Sequence, residues 1–132
     1  MSNNTPYARV VALIDKGGKI ISSNDDIEDD ADFVELVISA GQTRGVSLDL
    51  RFVVYELGVE LFDPDSGVSL GRYELVKGEG KTTHVMPGMS RLRSTDLRKV
   101  PVVGVRVSGS PQFRTIARPF AGARIGDAVR PV

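Results

Sequence analysis

The chain has no cysteine and no tryptophan, a single histidine, and only 6% aromatic residues among its 132 positions. Without cysteine there is no disulfide framework, no zinc–thiolate centre and no thiol nucleophile. His84 is the only imidazole, and no Ser or acidic partner stands at a spacing that would make it a catalytic base. The longest unbroken apolar run, residues 10–14, falls far short of the roughly 20 residues of a membrane-spanning helix. The opening MSNNTP lacks the basic and apolar regions of a signal peptide, so a cytoplasmic location is the expectation. Sustained helical periodicity is also missing.

Charge of both signs is present in equal amount, 17 basic and 17 acidic residues, but it is unevenly spread. Residues 1–66 hold 5 Lys/Arg against 13 Asp/Glu, and residues 67–132 hold 12 against 4. Two readings follow. The halves neutralise one another across the fold, or the second half forms a basic face for nucleic acid. Aromatic interleaving in the basic tail from Arg91 onward is thin, limited to Phe113 and Phe120, which weakens a stacking platform for single strands.

Fourteen Gly and seven Pro punctuate short apolar runs, the pattern of a small barrel or sandwich. Residues 9–14 and 19–22 predict a first hairpin around a turn at 15–18. Residues 24–32 carry six acidic side chains and one large apolar residue, Ile27, and predict a surface loop. Residues 33–39 give a third strand, followed by a reversal with Gly41 and Gly45 in left-handed positions. Residues 48–57 give the longest strand, broken by Gly58 and resumed at 59–62. Residues 69–76 and 81–86 predict a hairpin around a Lys77-Gly-Glu-Gly80 turn, with Tyr73, Leu75, Thr83 and Val85 facing inward. Residues 87–95 are less regular, and residues 100–107 form a strand with Pro101 at its start or on an edge. A turn at 108–112 and a closing strand over 124–130 complete the chain. The expectation is one all-β domain over 1–132, a small and mainly antiparallel barrel of SH3 or OB size with about seven or eight strands. Residues 1–8 are expected to form a flexible N-terminus.

Candidate chemistry is sparse. Asp63-Pro64-Asp65-Ser66-Gly67 superficially resembles a calcium loop, with Glu74 where a bidentate carboxylate would close it. Gly67, however, occupies a position that needs an oxygen ligand, so a type I turn fixed by Pro64 is the better reading. Gly78-Glu79-Gly80 matches no phosphate-binding fingerprint, because no helix follows it. The loop at 24–32 would suit a divalent cation or a basic partner, yet such runs usually serve only to solvate a loop. No cofactor, metal or small-molecule substrate is indicated.

Several turn signatures together resemble a known domain. The order is Ala40-Gly41, Arg44-Gly45-Val46, Phe52, Val54-Tyr55, then Asp63-Pro64-x-Ser66-Gly67-x-x-Leu70-Gly71, residues 91–95, and Ile125-Gly126-Asp127-x-Val129. It resembles the small C-terminal β-barrel of flagellar assembly protein T and related uncharacterised bacterial β-barrel proteins, over residues 33–132. The resemblance implies structural turns at Gly45, Asp63, Pro64, Gly67, Gly71 and Gly126, a final strand that closes the sheet, and no catalytic residue.

With no catalytic constellation, the sequence predicts a non-enzymatic interaction or assembly module acting through its charged surface and barrel edges. The partner would be another protein or a second copy, with no membrane involved. The candidate contact residues are Asp25, Asp26, Asp29 and Asp30 of the acidic loop, with Arg91, Arg93, Arg98 and Lys99. The alternative is a nucleic-acid-binding barrel using the basic half, which requires those arginines to share a face.

Overall fold

In a computed structural model of the protein, residues 6–107 and 109–132 are described. Nine strands are present: β1 (Ala8–Ile14), β2 (Ile20–Ile21), β3 (Glu35–Ile38), β4 (Arg51–Phe62), β5 (Ser69–Val85), β6 (Ser90–Ser94), β7 (Leu97–Val107), β8 (Ser110–Ala117) and β9 (Ala128–Pro131). No α-helix occurs among the described residues, and only two 3₁₀ turns interrupt the strands. The expected mobility of residues 1–8 falls mostly on residues 1–5, outside the described residues, as does Ser108 of the predicted 108–112 turn. Positions 110–112 belong to β8 rather than to a turn.

Six strands close an antiparallel barrel in the order β1-β3-β6-β5-β4-β9, with β9 pairing back onto β1. Closure removes the sheet edges that would otherwise expose unpaired backbone groups. The final strand does close the barrel, though it begins at Ala128, and residues 124–127 form the loop leading into it. β2 adds to the far end of β1, and β7 and β8 pair only with each other as a separate ribbon.

The barrel interior is filled by Val10, Leu13, Leu36, Ile38, Phe52, Val54, Leu92 and Val129, each at most 1% exposed. At the end of β1 both faces are covered. Leu13 points into this core while Ala12 and Ile14 pack with Val37 in a second cluster. That is why residues 12–14 are continuously apolar, whereas Val11 in the same run is exposed.

The largest departure from the sequence reading is β5, an unbroken strand of 17 residues. The predicted turn at 77–80 is mid-strand. Its glycines are there for space: a Cβ at Gly78 would lie 2.8 Å from Phe120 Cδ1, and one at Gly80 would lie 3.0 Å from Phe120 Cζ. The Phe120 ring therefore rests directly on the strand backbone. It is fixed there by the isolated bridge of Phe120 with Phe33. Gly58 likewise does not break β4; the ladder passes it with a register shift between Leu57 and Glu60. Gly80 and Thr82 face inward, so Thr83 is exposed; a further shift between Thr82 and His84 then turns Val85 onto the core, as expected. Gly41 is not left-handed (φ −142) but gives room to the turn between β5 and β6, where a Cβ would meet Met86 O at 2.1 Å.

Lys77, at another register shift of β5, is buried. Its Nζ donates to Asp127 Oδ1 at 2.9 Å, Asp127 Oδ2 at 3.0 Å, and the Gly122 carbonyl at 3.0 Å. Asp127 also accepts from the Arg124 N–H at 2.8 Å. Two buried charges are tolerable only when so fully partnered, and removing one strands the other in low dielectric. Lys77→Ala or Asp127→Ala is expected to lower the unfolding free energy in urea by about 3–5 kcal/mol. Gly80→Ala should cost about 1–3 kcal/mol through crowding of Phe120. Arg51→Ala, which loses only the half-exposed pair with Glu79, should cost at most about 1 kcal/mol.

Candidate functional site

β4 and β5 are longer than the barrel requires. β9 covers only Phe52 to Tyr55 of β4, and β6 covers only Gly80 to Val85 of β5. The β4–β5 ladder nevertheless continues to Phe62 opposite Ser69. Residues 56–62 and 69–76 thus project from the barrel as a two-stranded arm.

Its tip is the predicted turn. Asp63 Oδ1 accepts from the Asp65 N–H at 2.8 Å, the Gly67 N–H donates to the Asp63 carbonyl at 2.8 Å, and Gly67 is left-handed (φ 72). Asp63 is thereby committed to backbone donors, as the turn reading with Pro64 requires. Gly71 supplies not a turn but a left-handed position within β5 (φ 94), next to the register shift between Leu61 and Phe62. Gly45 is left-handed as expected (φ 83), and Gly126 is left-handed too (φ 98).

The arm exposes a concentration of large apolar side chains. Val59 is 70%, Leu70 68%, Tyr73 58%, Phe62 56%, Val76 56% and Leu75 50% exposed. Within β5 the alternation sets Tyr73 and Leu75 on the face opposite Arg72 and Glu74. Leu61 pairs with Gly71 and so joins the Tyr73 face. One side of the arm therefore presents Leu61, Tyr73 and Leu75 to solvent, with Glu56, opposite Leu75, at its root. Tyr73 and Leu75, predicted to face inward, have the apolar phase of a core strand, but the strand has run past the core.

The root of the arm is polar and firmly tied. Arg72 donates from Nε to the Gly58 carbonyl at 2.8 Å and from Nη2 to the Leu57 carbonyl at 3.1 Å. Arg130 pairs with Glu74 at 3.1 Å and lies over the Tyr55 ring. Burial pushes the Tyr55 hydroxyl above its ordinary pKa; Glu74 adds to the rise, and Arg130 and Arg9 oppose it. Beside this root, Arg9, Arg72 and Arg124 line a shallow groove of about 320 Å³ with Glu56 and Asp127.

The contact residues read from sequence lie elsewhere. Asp25, Asp26, Asp29 and Asp30 are exposed on the acidic loop, which contains a 3₁₀ turn capped by Ser23. Two hydrogen bonds between Asn24 and Ile125 pin that loop to the barrel. Arg91 and Arg93 share one face of β6, and both reach Glu35, at 3.5 and 3.6 Å. Arg98 and Lys99 are exposed on β7, in the separate ribbon, so the four basic positions do not share one wall. His84 is exposed, opposite Arg91. Among the described residues, no group of His, Asp and Glu could hold a metal ion, and no helix is long and apolar enough to cross a membrane. Of the seven ion pairs among the described residues, four join an acid of the first half to a base of the second: Glu35–Arg91, Glu35–Arg93, Asp49–Lys81 and Glu56–Lys77. These pairs neutralise Glu35, Asp49 and Glu56 of the first half against bases of the second.

Compared with family models, with curated proteins and with solved structures, the chain finds no match in any of the three.

Because the apolar side chains of the arm contact mainly water, replacing them should cost little folding energy. Leu61→Ser, Tyr73→Ser and Leu75→Ser are each expected to change the unfolding free energy by less than about 1 kcal/mol. Phe52→Ala, by contrast, should cost about 3–5 kcal/mol. Urea unfolding curves of the four variants check the contrast.

Proposed function

We propose that this protein is a non-enzymatic interaction or assembly module that holds its partner through the β4–β5 arm. The observation that carries this reading is the open apolar face of Leu61, Tyr73 and Leu75, on a ribbon that neither β6 nor β9 accompanies. Contiguous apolar surface and unpaired strand edges are features that folded proteins normally suppress unless a partner covers them. β1 and β9, the first and last strands, are both paired. Apart from the short β2 and the separate β7–β8 ribbon, the edges open to strand addition are those of the arm.

The charged surface takes a supporting role in this reading. The acidic loop at 24–32 and the bases Arg91, Arg93, Arg98 and Lys99 keep the barrel wall soluble and set the field through which a partner approaches. Kinship with the flagellar assembly protein T barrel belongs to the same proposal, and it rests on the turn signatures alone.

Site-specific photo-crosslinking in cells tests the reading. A photoreactive residue at Tyr73 is expected to give discrete covalent adducts, whereas the same residue at His84 on the barrel wall gives none. Equal yields from the two positions, or no adduct from Tyr73, would contradict it.

A further inference from the structure

We infer that the partner of the arm is a second copy of this chain, paired edge to edge along β5 in an antiparallel register centred on Tyr73. This rests on the reading of the arm as the interaction element and names what that element binds.

The free part of the β5 edge is sharply bounded. Farther along the strand, the Lys77 carbonyl is taken by the Ala121 N–H at 2.8 Å, and the Glu79 carbonyl by the Thr95 N–H at 2.9 Å. Only residues 69–76 remain without a neighbouring strand on that side. The β4 edge is open over residues 56–62, but this stretch carries Glu56 and Glu60 and no base. No antiparallel self-pairing of β4 can set opposite charges across from one another, and several set Glu against Glu, which is destabilising.

The β5 edge is self-complementary. When two copies run antiparallel about Tyr73, Arg72 stands opposite the partner's Glu74, and Glu74 opposite the partner's Arg72. Leu75 falls opposite the partner's Gly71, which has no side chain to obstruct it, and the two Tyr73 rings meet at the symmetry axis. This is an isologous contact, in which one patch serves both sides of a two-fold axis. The ion pairs already present do not use up these groups. Arg72 donates to β4 from Nε and Nη2, which leaves Nη1, and Glu74 meets Arg130 through Oε1, which leaves Oε2. Pairing would convert two isolated two-stranded arms, marginal by themselves, into one four-stranded sheet. It would also bring the Leu61, Tyr73 and Leu75 side chains of both copies together on one face. The chain's net charge of zero adds no long-range repulsion between copies.

Sedimentation of the purified chain from micromolar to millimolar concentration, with charge reversals on the edge, tests the inference. The wild type is expected to form dimers. Arg72→Glu alone and Glu74→Arg alone each place like charges across the axis, and each should weaken dimerisation at least about tenfold. An equimolar mixture of these two variants should recover it, because one chain then presents two carboxylates to two guanidiniums of the other. Leu75→Lys, which leaves both ion-pairing residues in place, should weaken dimerisation as well, since an inward charge blunts a strand edge. Circular dichroism confirms that each variant keeps its fold. Folded single variants that dimerise as well as the wild type, or a mixture that stays monomeric, would overturn the register. A monomeric wild type whose Tyr73 crosslinks only to foreign chains would overturn self-pairing while leaving the arm as an interaction element. A monomeric wild type with no Tyr73 adduct at all would overturn both.

Discussion

The buried Lys77–Asp127 ion pair is the constraint on which the rest of the molecule depends. Lys77 sits where β5 leaves its regular ladder with β4, and Asp127 immediately precedes β9, the strand that closes the barrel. Their contact ties the middle of the longest strand to the point of closure. Both charges are removed from water, so each needs a full set of partners, which the Gly122 carbonyl and the Arg124 N–H complete. The Asp127 carbonyl also accepts from the Val10 N–H, which draws β1 into the same junction. Three strands that are distant in sequence thus converge on one salt bridge.

That junction divides β5 into two parts with different physics. On the β6 side the strand is barrel wall: Gly78 and Gly80 lie against Phe120, Thr82 points inward, and the strand pairs with β4 up to Lys81 and with β6 from Gly80 on. On the other side it is one half of an arm that has only β4 for company and whose apolar face lacks a core to enter. The barrel does not need these residues for stability, which leaves them available for contact with another molecule. The charged wall is a different kind of surface. Some of its carboxylates and guanidiniums are matched with one another across the barrel, Glu35 with both Arg91 and Arg93 being the clearest case.

Much of the fold was legible in the sequence because turn chemistry is local. The Asp63-Pro-Asp-Ser-Gly67 turn, the left-handed Gly45, and the apolar strands β1 and β4 all follow from short-range rules. What was not legible depends on distant residues. Gly78 and Gly80 look like a turn until Phe120, some forty positions away, is seen lying on them. The inward phase at Thr82 was lost because a register shift resets the alternation without any mark in composition. The arm was hidden for the same kind of reason. Tyr73 and Leu75 carry the ordinary signature of a half-buried strand, and only the lengths of β6 and β9 reveal that nothing lies over them. The candidate contact residues were sought among charges, whereas the unusual surface is apolar.

Amide hydrogen exchange along β5 in dilute, monomeric protein tests the central claim most directly. The Lys77 junction should appear as a boundary: slow exchange at residues 78–82, where β4 and then β6 hold the strand in the barrel wall, and exchange faster by orders of magnitude at residues 69–76. Uniform protection from Ser69 to Val85 would contradict the account, because the arm would then share the stability of the barrel.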